Sequence, residues 1–305
     1  MTIDFDLATP QGIAAAFLTR DFIAGDDLAT ALFLAATLER PLLLEGPPGV
    51  GKTEVAKLWA EVRGTALLRL QCYEGLDEAK ALYEWSYGKQ MLYAQLLRDK
   101  ATELTGDAPT LLEAIARLKG QADEFFSVDF LAPRPLLQAI LSEEPVVLLI
   151  DEVDRSDEAF EAFLLEILAD FQVSVPELGT LSAHQRPQVI LTSNDTRDLS
   201  DALRRRCLFC YLDYPTPEVE AEILRRRVPT LEADLARRVA AFIRGLRGAE
   251  LRKTPGISEA IDWALALVAV GAVSLTPKTL RQTLGALVKH RDDLERILAN
   301  PKAFQ

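Results

Sequence analysis

One stretch of the chain constrains its fold more than any other. The apolar run PLLL at residues 41–44 leads into EGPPGVGKTEVAKLW at residues 45–59. Inside it, the pattern G-x-x-x-x-G-K-[ST] begins at Gly46 and ends at Thr53. A strand that runs into this turn, with a helix starting at the lysine, is the context in which the pattern binds phosphate. The stretch therefore predicts a P-loop α/β fold.

The residue types of this loop suit a nucleoside triphosphate with Mg²⁺. Glycines let backbone N–H groups turn toward phosphate oxygens, and the start of the helix adds its unpaired N–H groups. Lys52 is expected to reach the β- and γ-phosphates, and Thr53 to ligate Mg²⁺. We therefore predict that ATP and Mg²⁺ are bound by a loop whose members are Gly46, Pro47, Pro48, Gly49, Val50, Gly51, Lys52, Thr53 and Glu54.

Two later strands end in polar side chains of the kind that hydrolysis needs. The apolar run PVVLLIDE at 145–152 ends in Asp151 and Glu152, and QVILTSN ends in Asn194. Parallel α/β sheets bind ligands at the carboxyl ends of their strands. Asp151 is therefore predicted to hold Mg²⁺, directly or through water, and Glu152 to polarise the attacking water. Asn194 is predicted to orient that water or to contact the γ-phosphate.

Three arginines stand together in DALRRRC, residues 201–207. Phosphoryl transfer requires positive charge around the γ-phosphate in its transition state, and we expect no free arginine near the glycine-rich loop. We predict that a neighbouring subunit lends an arginine finger, Arg206 in the first instance and Arg205 as the alternative.

The order of predicted elements divides the chain. Strands are predicted at 41–46, 66–72, 145–152, 188–194 and 207–213, and beyond Pro215 only helices, at 217–228, 231–247, 258–270 and 277–299. Strand–helix alternation followed by helices alone indicates a parallel-sheet domain and a small all-α domain. We predict an N-terminal lead-in at 1–20, an α/β core at 21–214 and a helical lid at 215–305.

Three segments between the core strands carry further predictions. Residues 73–145 exceed what a single crossover helix needs, which predicts a helical insert, and residues 171–182 predict a β-hairpin. The segment SDEAFEAFLLEIL predicts a helix capped by Ser156, with Glu158, Glu161 and Glu166 on its solvent face.

The insert is rich in aromatic residues, and two interpretations of them stay open. They either grip a client or pack the insert onto its own domain. The i, i+4 spacing of Tyr83 and Tyr87 on a helix would suit packing. The residues concerned are Tyr83, Trp85, Tyr87 and Tyr93.

Composition narrows the class of function. The net charge is −12, with 46 acidic and 34 basic residues, which argues against a generic nucleic-acid binder. Three cysteines favour a reducing compartment over a disulfide framework, and we read Cys207 and Cys210 as members of a buried strand. The start of the sequence lacks the apolar region of a signal peptide, and the longest apolar run is too short to span a membrane. We expect a cytoplasmic protein without a membrane span.

Together these motifs resemble those of the AAA+ ATPases over residues 20–300. Residues 46–53 are similar to Walker A, 146–152 to Walker B, Asn194 to sensor 1, and 205–207 to the arginine-finger box. The resemblance implies an AAA+ P-loop NTPase core with a five-stranded parallel sheet, a helical insert and a β-hairpin, followed by a helical lid.

One motif departs from the family pattern. TPKTLRQTL at 276–284 resembles the sensor 2 helix of the lid, but Lys278 stands where arginine is common, and Arg281 lies one turn later. The resemblance implies that one of these two residues contacts the nucleotide.

A finer resemblance points to the MoxR branch. FLLEILADFQVSVPELGTL resembles its Walker B helix and hairpin. LQCYEGLDEAKALYEWSYGKQ and LRKTPGISEAIDWA resemble the CoxD-like subgroup linked to maturation of molybdenum-copper carbon monoxide dehydrogenase. The family implies a hexameric ring, ATP hydrolysis at subunit interfaces, a partner with a von Willebrand factor A domain and a metalloenzyme client. A nucleic-acid-dependent AAA+ motor, a GTP-using relative and a nucleotide-gated binding module stay as alternatives.

Overall fold

Five parallel strands form the central sheet of the protein, for which a computed structural model describes residues 6–88, 91, 110, 131–175 and 178–304. In chain order the elements are α1 (Pro10–Leu18), α2 (Asp26–Thr37), β1 (Leu42–Glu45), α3 (Lys52–Arg63), β2 (Ala66–Gln71), α4 (Glu78–Leu82), β3 (Tyr83–Trp85), β4 (Leu131–Pro133), α5 (Pro135–Leu141), β5 (Val146–Asp151), α6 (Glu158–Asp170), β6 (Gln172–Val175), β7 (Gly179–Ser182), β8 (Gln188–Ser193), α7 (Asp201–Arg206), β9 (Leu208–Tyr211), α8 (Pro217–Arg227), α9 (Ala233–Arg247), α10 (Ile257–Ala269), α11 (Pro277–Leu287) and α12 (Arg291–Ala299).

The strands of the central sheet lie in the order β2-β5-β8-β1-β9, all parallel. β1 and β5 are buried along their whole length, as expected for apolar strands covered by helices on both faces. The register places Gln71 opposite Asp151 and Glu45 opposite Ser193. Polar residues therefore end the four adjacent strands β2, β5, β8 and β1 at the carboxyl edge of the sheet. The predicted five-stranded parallel sheet is confirmed.

Each face of the sheet carries its own apolar core. One core joins β2, β5 and β8 to α5, α6 and the β6–β7 hairpin. The other joins β1, β5 and β8 to α1, α2 and α3, with Trp59 fully buried in it. Cys207 belongs to the first core and Cys210 to the second, so the two thiols lie on opposite faces. Burial raises the pKa of Cys207 to about 12 and that of Cys210 to about 11, as expected for packed side chains.

The first helix is part of the core. Thr9 caps α1 by accepting a hydrogen bond from the Gly12 N–H, and Ile13 and Phe17 are fully buried. The Phe17 ring lies 6.4 Å from the Trp59 ring, measured between centroids. The segment predicted as a lead-in thus contributes a helix that packs against α2 and α3.

The segment between β2 and β5 differs in part from the prediction. Beside the helices α4 and α5, it contains an antiparallel pair, β3 with β4. Tyr83 begins β3 and packs partly buried against the core, so Tyr83 and Tyr87 do not share a helix as predicted. Tyr87 is 72% exposed. Tyr93 and the side chain of Trp85 lie outside the described residues.

Two details of α6 correct the sequence interpretation. Asp157, not Ser156, caps the helix, because its carboxylate accepts from the Phe160 N–H at 2.8 Å. Glu161 is buried, although periodicity placed it on the solvent face. It forms an ion pair at 2.5 Å with Arg197, which lies in the loop after β8. A partner distant in sequence overrides the local pattern.

The helices after β9 pack around a separate apolar core. Trp263 is fully buried in it, and its indole N–H donates to the Thr283 hydroxyl at 2.9 Å. The helix predicted over 277–299 is two helices, because Val288 adopts extended backbone angles and ends α11. Val288 is itself buried, and the bend lets α12 return to the same core. The predicted helix-only composition of this part is confirmed in the described residues.

Candidate nucleotide-binding site

The glycine-rich loop between β1 and α3 has a conformation that only glycine tolerates. Gly46, Gly49 and Gly51 have φ angles of 154°, 79° and 101°, in the region that side chains disfavour. A Cβ at Gly46 would lie 2.0 Å from the Leu212 carbonyl oxygen, so the loop packs directly on the backbone after β9. The loop ends at the first turn of α3, where free N–H groups and the helix dipole favour anions.

Lys52 is buried beneath this loop. Its Nζ donates hydrogen bonds to the carbonyl oxygens of Gly46 and Pro47 at 2.7 and 2.9 Å. Burial lowers the pKa of Lys52 to about 8, and nearby carboxylates, Asp154 and Asp151 foremost, counteract part of the shift. An ammonium held by neutral carbonyls in a buried site is under-compensated, so an anionic phosphate is a fitting additional partner.

Both carboxylate oxygens of Asp151 already have polar partners. Its Oδ1 accepts from the hydroxyls of Thr53 at 3.0 Å and Thr192 at 2.5 Å. Its Oδ2 lies 2.6 Å from Arg69 Nη2. The side chain is 3% exposed. The predicted metal ligands Thr53 and Asp151 are therefore in direct contact across the end of the sheet.

The residues present fit Mg²⁺. The ion prefers oxygen ligands and commonly retains waters, bound by one or two carboxylates together with substrate phosphates. The Thr53 hydroxyl and the Asp151 carboxylate supply such oxygens beside the phosphate loop. Bound there, Mg²⁺ would neutralise charge that develops on the phosphates.

Glu152 follows Asp151 in a left-handed conformation, with φ 55° and ψ 51°. Its backbone N–H donates to Thr192 Oγ1 at 2.9 Å. Its carboxylate accepts from Gln71 Nε2 at 3.1 Å and from Asn194 Nδ2 at 3.4 Å. The strained backbone turns the side chain toward the neighbouring strand ends, so the predicted pair Glu152 and Asn194 meets directly.

Asp154 positions the loop that carries Asn194, and sequence reasoning missed it. The carboxylate is buried and accepts from the backbone N–H groups of Asn194 and Thr196, both at 3.2 Å. It also accepts from Thr196 Oγ1 at 2.5 Å. A third acid in the run DEVD was the available signal.

Arginines lie nearer to the loop than predicted. Arg204 forms an ion pair with Glu45 at 2.9 Å, directly before the glycine-rich loop, and Arg69 contacts Asp151. The expectation concerned free arginines, and α7 and β2 bring these two in from distant parts of the sequence as paired ones. Both have carboxylate partners in cis.

The two predicted finger residues behave differently from Arg204. Arg205 and Arg206 are exposed at the end of α7, and the carbonyl oxygens of both accept hydrogen bonds from the Arg40 guanidinium. Within the described part of the chain, neither forms an ion pair with a carboxylate. Their side chains are available to a group outside this subunit.

A cleft of about 620 Å³ adjoins the loop, which is within the usual range for small-molecule sites. Its walls come from residues between 20 and 28, the loop residues 49–51, the segment 210–215 and the start of α10. Glu54 also lines it. The segment before α2 was not predicted to contribute, since nothing in its local pattern marks it as a binding element.

The part of the chain after β9 touches the loop at two points. The Tyr214 hydroxyl donates to the Pro48 carbonyl at 3.0 Å, and the Ile257 N–H donates to the Gly49 carbonyl at 2.8 Å. Gly256 approaches so closely that a Cβ on it would lie 2.7 Å from the Gly49 Cα. The lid therefore reaches the phosphate loop through the start of α10.

Lys278 and Arg281 are not brought to this cleft. Both are exposed on α11, whose buried stripe contains Leu280 and Leu284, so they lie on the face turned away from the lid core. Neither lines the cleft that borders the loop. Their contact with nucleotide therefore stays a prediction, and the helical residues after β9 that line this cleft come from α8 and α10.

Two sequence-wide features can be checked on the described residues. Within them, no helix combines the length and apolarity needed to cross a bilayer. They also contain no cluster of three or more metal-ligating side chains of the His, Cys, Asp and Glu types. Cys210 lies in β9, as predicted, whereas Cys207 directly precedes that strand.

Comparison with known proteins assigns the part of the chain that carries the site to a family. The model of the AAA domain family, dynein-related subfamily, matches residues 41–207, which is more than half of the chain. No curated protein shows a significant match to the sequence. The matched range contains the phosphate loop, the carboxylates after β5, Asn194 and the arginines of α7. The family and the P-loop fold support an ATP-hydrolysing enzyme.

Solved structures with a similar fold include the RuvB Holliday junction branch migration motor of Thermotoga maritima. That structure has a TM-score of 0.47 and 19% identity, and the match covers 84% of this chain and 66% of that one. Two of its point mutants reach TM-scores of 0.50 and 0.49 at 21% and 18% identity, covering 88% and 91% of this chain and 71% and 72% of theirs. At this identity the likeness concerns the fold alone.

Proposed function

The chain belongs to the AAA domain family, in its dynein-related subfamily, and from this premise we propose that it is an Mg²⁺-dependent ATP hydrolase that works at the carboxyl edge of its central sheet. The observation that carries the proposal is convergence. Thr53 contacts Asp151, Thr192 binds both Asp151 and Glu152, and Glu152 contacts Asn194. Residues from α3, from β5 and β8, and from the positions directly after these two strands thus meet beside one glycine-rich loop.

Each residue has a role in this mechanism that follows from its surroundings. Lys52 binds the phosphates from beneath the loop, where its charge lacks an anionic hydrogen-bond partner. Thr53 and Asp151 hold the metal ion. Glu152 accepts a proton from the attacking water, and Asn194 positions that water.

Contacts around Glu152 also restrain it. Gln71 Nε2 and Arg155 Nε lie 3.1 and 3.2 Å from the same carboxylate oxygen, Oε2. In this arrangement Oε2 is engaged, and Oε1 faces Asn194 at the longer distance of 3.4 Å. Glu152 must loosen from Gln71 before it can accept a proton efficiently. With these contacts in place it is therefore a weak base, and ATP turnover from this arrangement is low.

Arg206, with Arg205 as the alternative, acts on the nucleotide of a neighbouring subunit in a ring. Support comes from their exposure at the end of α7 and from their lack of carboxylate partners among the described residues, in contrast with Arg204. A guanidinium supplied from a neighbour contributes strongly to transition-state stabilisation in such enzymes. A hexamer is the ring that the AAA+ resemblance implies.

The biological role we propose is chaperone-like remodelling of a metal-cofactor enzyme, of the MoxR type and the CoxD-like subgroup. The support is the resemblance of residues 70–90 and 251–264 to that subgroup, together with an acidic net charge of −12. Tyr73, shortly after β2, and Tyr87, shortly after β3, are 47% and 72% exposed and suit contact with a client protein. A von Willebrand factor A domain protein is the expected partner. The core at 21–214, the lid at 215–305 and a cytoplasmic location belong to the same proposal.

Substitution of Glu152 by Gln tests the catalytic assignment. We expect ATP turnover to fall by roughly 10²- to 10⁴-fold, the usual contribution of a general base, with ATP binding preserved. Phosphate release and equilibrium binding of a fluorescent ATP analogue measure the two quantities. Glu166→Gln, on the exposed face of α6, is the matched control. Turnover by Glu152→Gln at the parent rate would remove the water-activation role.

Two further measurements separate the alternatives. A nucleic-acid motor should show ATPase activity strongly stimulated by DNA, with steep loss of that stimulation as salt rises. A GTP-using relative should turn over GTP faster than ATP. Neither is expected here. A remodeller should instead be stimulated by its client, and exposed Tyr87→Ala should reduce that stimulation without changing basal turnover.

A further inference from the structure

Arg69 places a guanidinium at the metal-binding carboxylate. It lies on β2, at the edge of the sheet, and its Nη2 is 2.6 Å from Asp151 Oδ2. The same nitrogen is 2.6 Å from Gln71 Oε1. The Arg69 side chain is 47% exposed, whereas that of Asp151 is 3% exposed. A solvent-accessible cation is thus paired with a buried anion.

The pairing completes the charge balance of Asp151. The two hydroxyls on Oδ1 are neutral, and Lys52 directs its hydrogen bonds to backbone carbonyls. A buried carboxylate requires a positive partner or a full set of hydrogen bonds. Arg69 is the cation that makes direct contact with it.

We propose that Arg69 is a built-in counter-cation of the metal site, which holds Asp151 in the absence of metal and competes with Mg²⁺ for it. The inference rests on the proposed function, because it takes Thr53 and Asp151 as the metal ligands. Two positive charges within a few ångströms of one carboxylate repel each other. Arg69 therefore moves toward solvent, which its exposure permits, when the metal site fills.

The displacement has a consequence for Glu152. Arg69 bonds Gln71 Oε1, and Gln71 uses its Nε2 to bond Glu152 Oε2. The guanidinium thereby orients the Gln71 amide so that its donor faces Glu152. When Arg69 leaves, Gln71 loses that orientation and its hold on Glu152 weakens. Filling of the metal site thus weakens one of the two contacts on Glu152 Oε2, the other being the ion pair with Arg155.

The same arrangement discriminates against free divalent cations. An isolated cation would have to displace Arg69 using Asp151 and Thr53 alone. A cation that arrives with a triphosphate brings additional anionic oxygens, and these offset the repulsion from Arg69. The site is therefore expected to fill with the metal–nucleotide complex in preference to the free ion.

The test compares Arg69→Gln, which removes the charge, with Arg69→Lys, which keeps it. Binding of a fluorescent ATP analogue at fixed concentration is followed as Mg²⁺ is titrated. We expect the half-saturating Mg²⁺ concentration to fall by roughly tenfold in Arg69→Gln, as removal of one nearby positive charge predicts. Arg69→Lys should stay near the parent. Binding of Mn²⁺ without nucleotide, followed by electron paramagnetic resonance, should tighten in Arg69→Gln.

Arg134→Gln is the matched control, because Arg134 is 46% exposed and pairs with Glu84 at 2.7 Å away from the site. It should leave the Mg²⁺ dependence unchanged. An unchanged or higher Mg²⁺ requirement in Arg69→Gln overturns the inference, provided that the variant unfolds in urea at the parent midpoint. If Arg69→Gln unfolds early, the comparison of Arg69→Lys with Arg69→Met decides in the same way. A parent protein that binds no nucleotide with Mg²⁺ at all would instead remove the proposed function.

Discussion

The α/β core and the helical lid both bury charged side chains, but the partners that balance the buried charge differ between the two regions. In the lid, Glu220 and Arg247 form two hydrogen bonds at 2.7 and 2.9 Å, and their side chains are 1% and 9% exposed. In the core, the buried Asp151 is held by neutral hydroxyls and by a half-exposed arginine. The lid pair is closed to solvent and ligand, and the core carboxylate is left exchangeable.

This difference separates stability from function. A sealed pair has no further partner to accept, so its loss leaves an uncompensated buried charge and is expressed as unfolding. A carboxylate whose partners are replaceable can accept a ligand, so its loss is expressed as altered binding or turnover. The contrast predicts which substitutions change activity at constant stability and which do the reverse.

The largest effect is expected for Arg206→Ala, in the α/β part of the chain, because the exposed Arg206 side chain forms no ion pair within the described residues. Turnover should fall by roughly 10³-fold or more, the usual contribution of an arginine finger, with the urea midpoint unchanged. Phosphate release measures it. Arg205→Ala is the control and should cost far less.

A mixing experiment shows whether the finger acts between subunits. Arg206→Ala protein retains an intact nucleotide site, and Glu152→Gln protein retains an intact finger. Combined in one ring, they should recover part of the activity that neither has alone. No recovery, in mixtures shown to co-assemble, would place the finger role elsewhere.

The lid pair should behave in the opposite way. Arg247→Ala is expected to lower the free energy of unfolding by about 3–5 kcal/mol, because Glu220 is left charged and unpaired in the lid core. Urea denaturation measures it. Arg237→Ala removes an exposed pair with Asp234 and should change stability by about 0–0.5 kcal/mol. An effect of Arg247→Ala limited to turnover would contradict the division drawn above.

Asp154 sharpens the comparison, since it is as buried as the lid pair but serves the site. Asp154→Ala should reduce kcat by roughly 10- to 100-fold through misplacement of Asn194, with a smaller change in KM. Asp154→Asn, which keeps an acceptor for the loop, should recover part of the loss. If KM rises as much as kcat falls, Asp154 acts on the phosphate loop and not on Asn194.

The smallest expected effect concerns pH. The pKa of Lys52 is lowered by burial to about 8, from an ordinary value of 10.5. Below pH 8 the lysine is charged before ATP binds, so affinity should not depend on it. Above pH 8 binding requires proton uptake, because the phosphate favours the charged form, and ATP affinity should fall by up to about tenfold per pH unit.

Calorimetry at pH 9 in buffers of different ionisation enthalpy measures that proton uptake. The contribution of Lys52 to the free energy of unfolding changes with pH in the opposite direction to ATP affinity. Between pH 8 and 10.5 the unfolded chain holds the proton that the folded one has lost, so the Lys52 contribution to the free energy of unfolding rises with pH. Proton release on ATP binding would show that the Lys52 pKa is not lowered in the free protein.

Sequence patterns predicted the elements that depend on near neighbours. Alternation, apolar runs and glycine-rich punctuation identified all five strands of the sheet and the loop from Gly46 to Thr53. They failed where a distant partner decides, as at Glu161, which Arg197 buries. Lys278 and Arg281 were assigned by family pattern, and both are exposed on α11 without lining the cleft.

By itself, then, the sequence determined the phosphate loop, the acids at the end of β5 and the order along the chain of the five central strands, because each follows from contacts within a few residues. Tertiary structure alone decided which polar side chains meet. Arg69 and Gln71 are two residues apart on β2, a spacing that places their side chains on the same face of the strand. Only the register of β2 against β5, with Gln71 opposite Asp151, brings that face to the catalytic carboxylates.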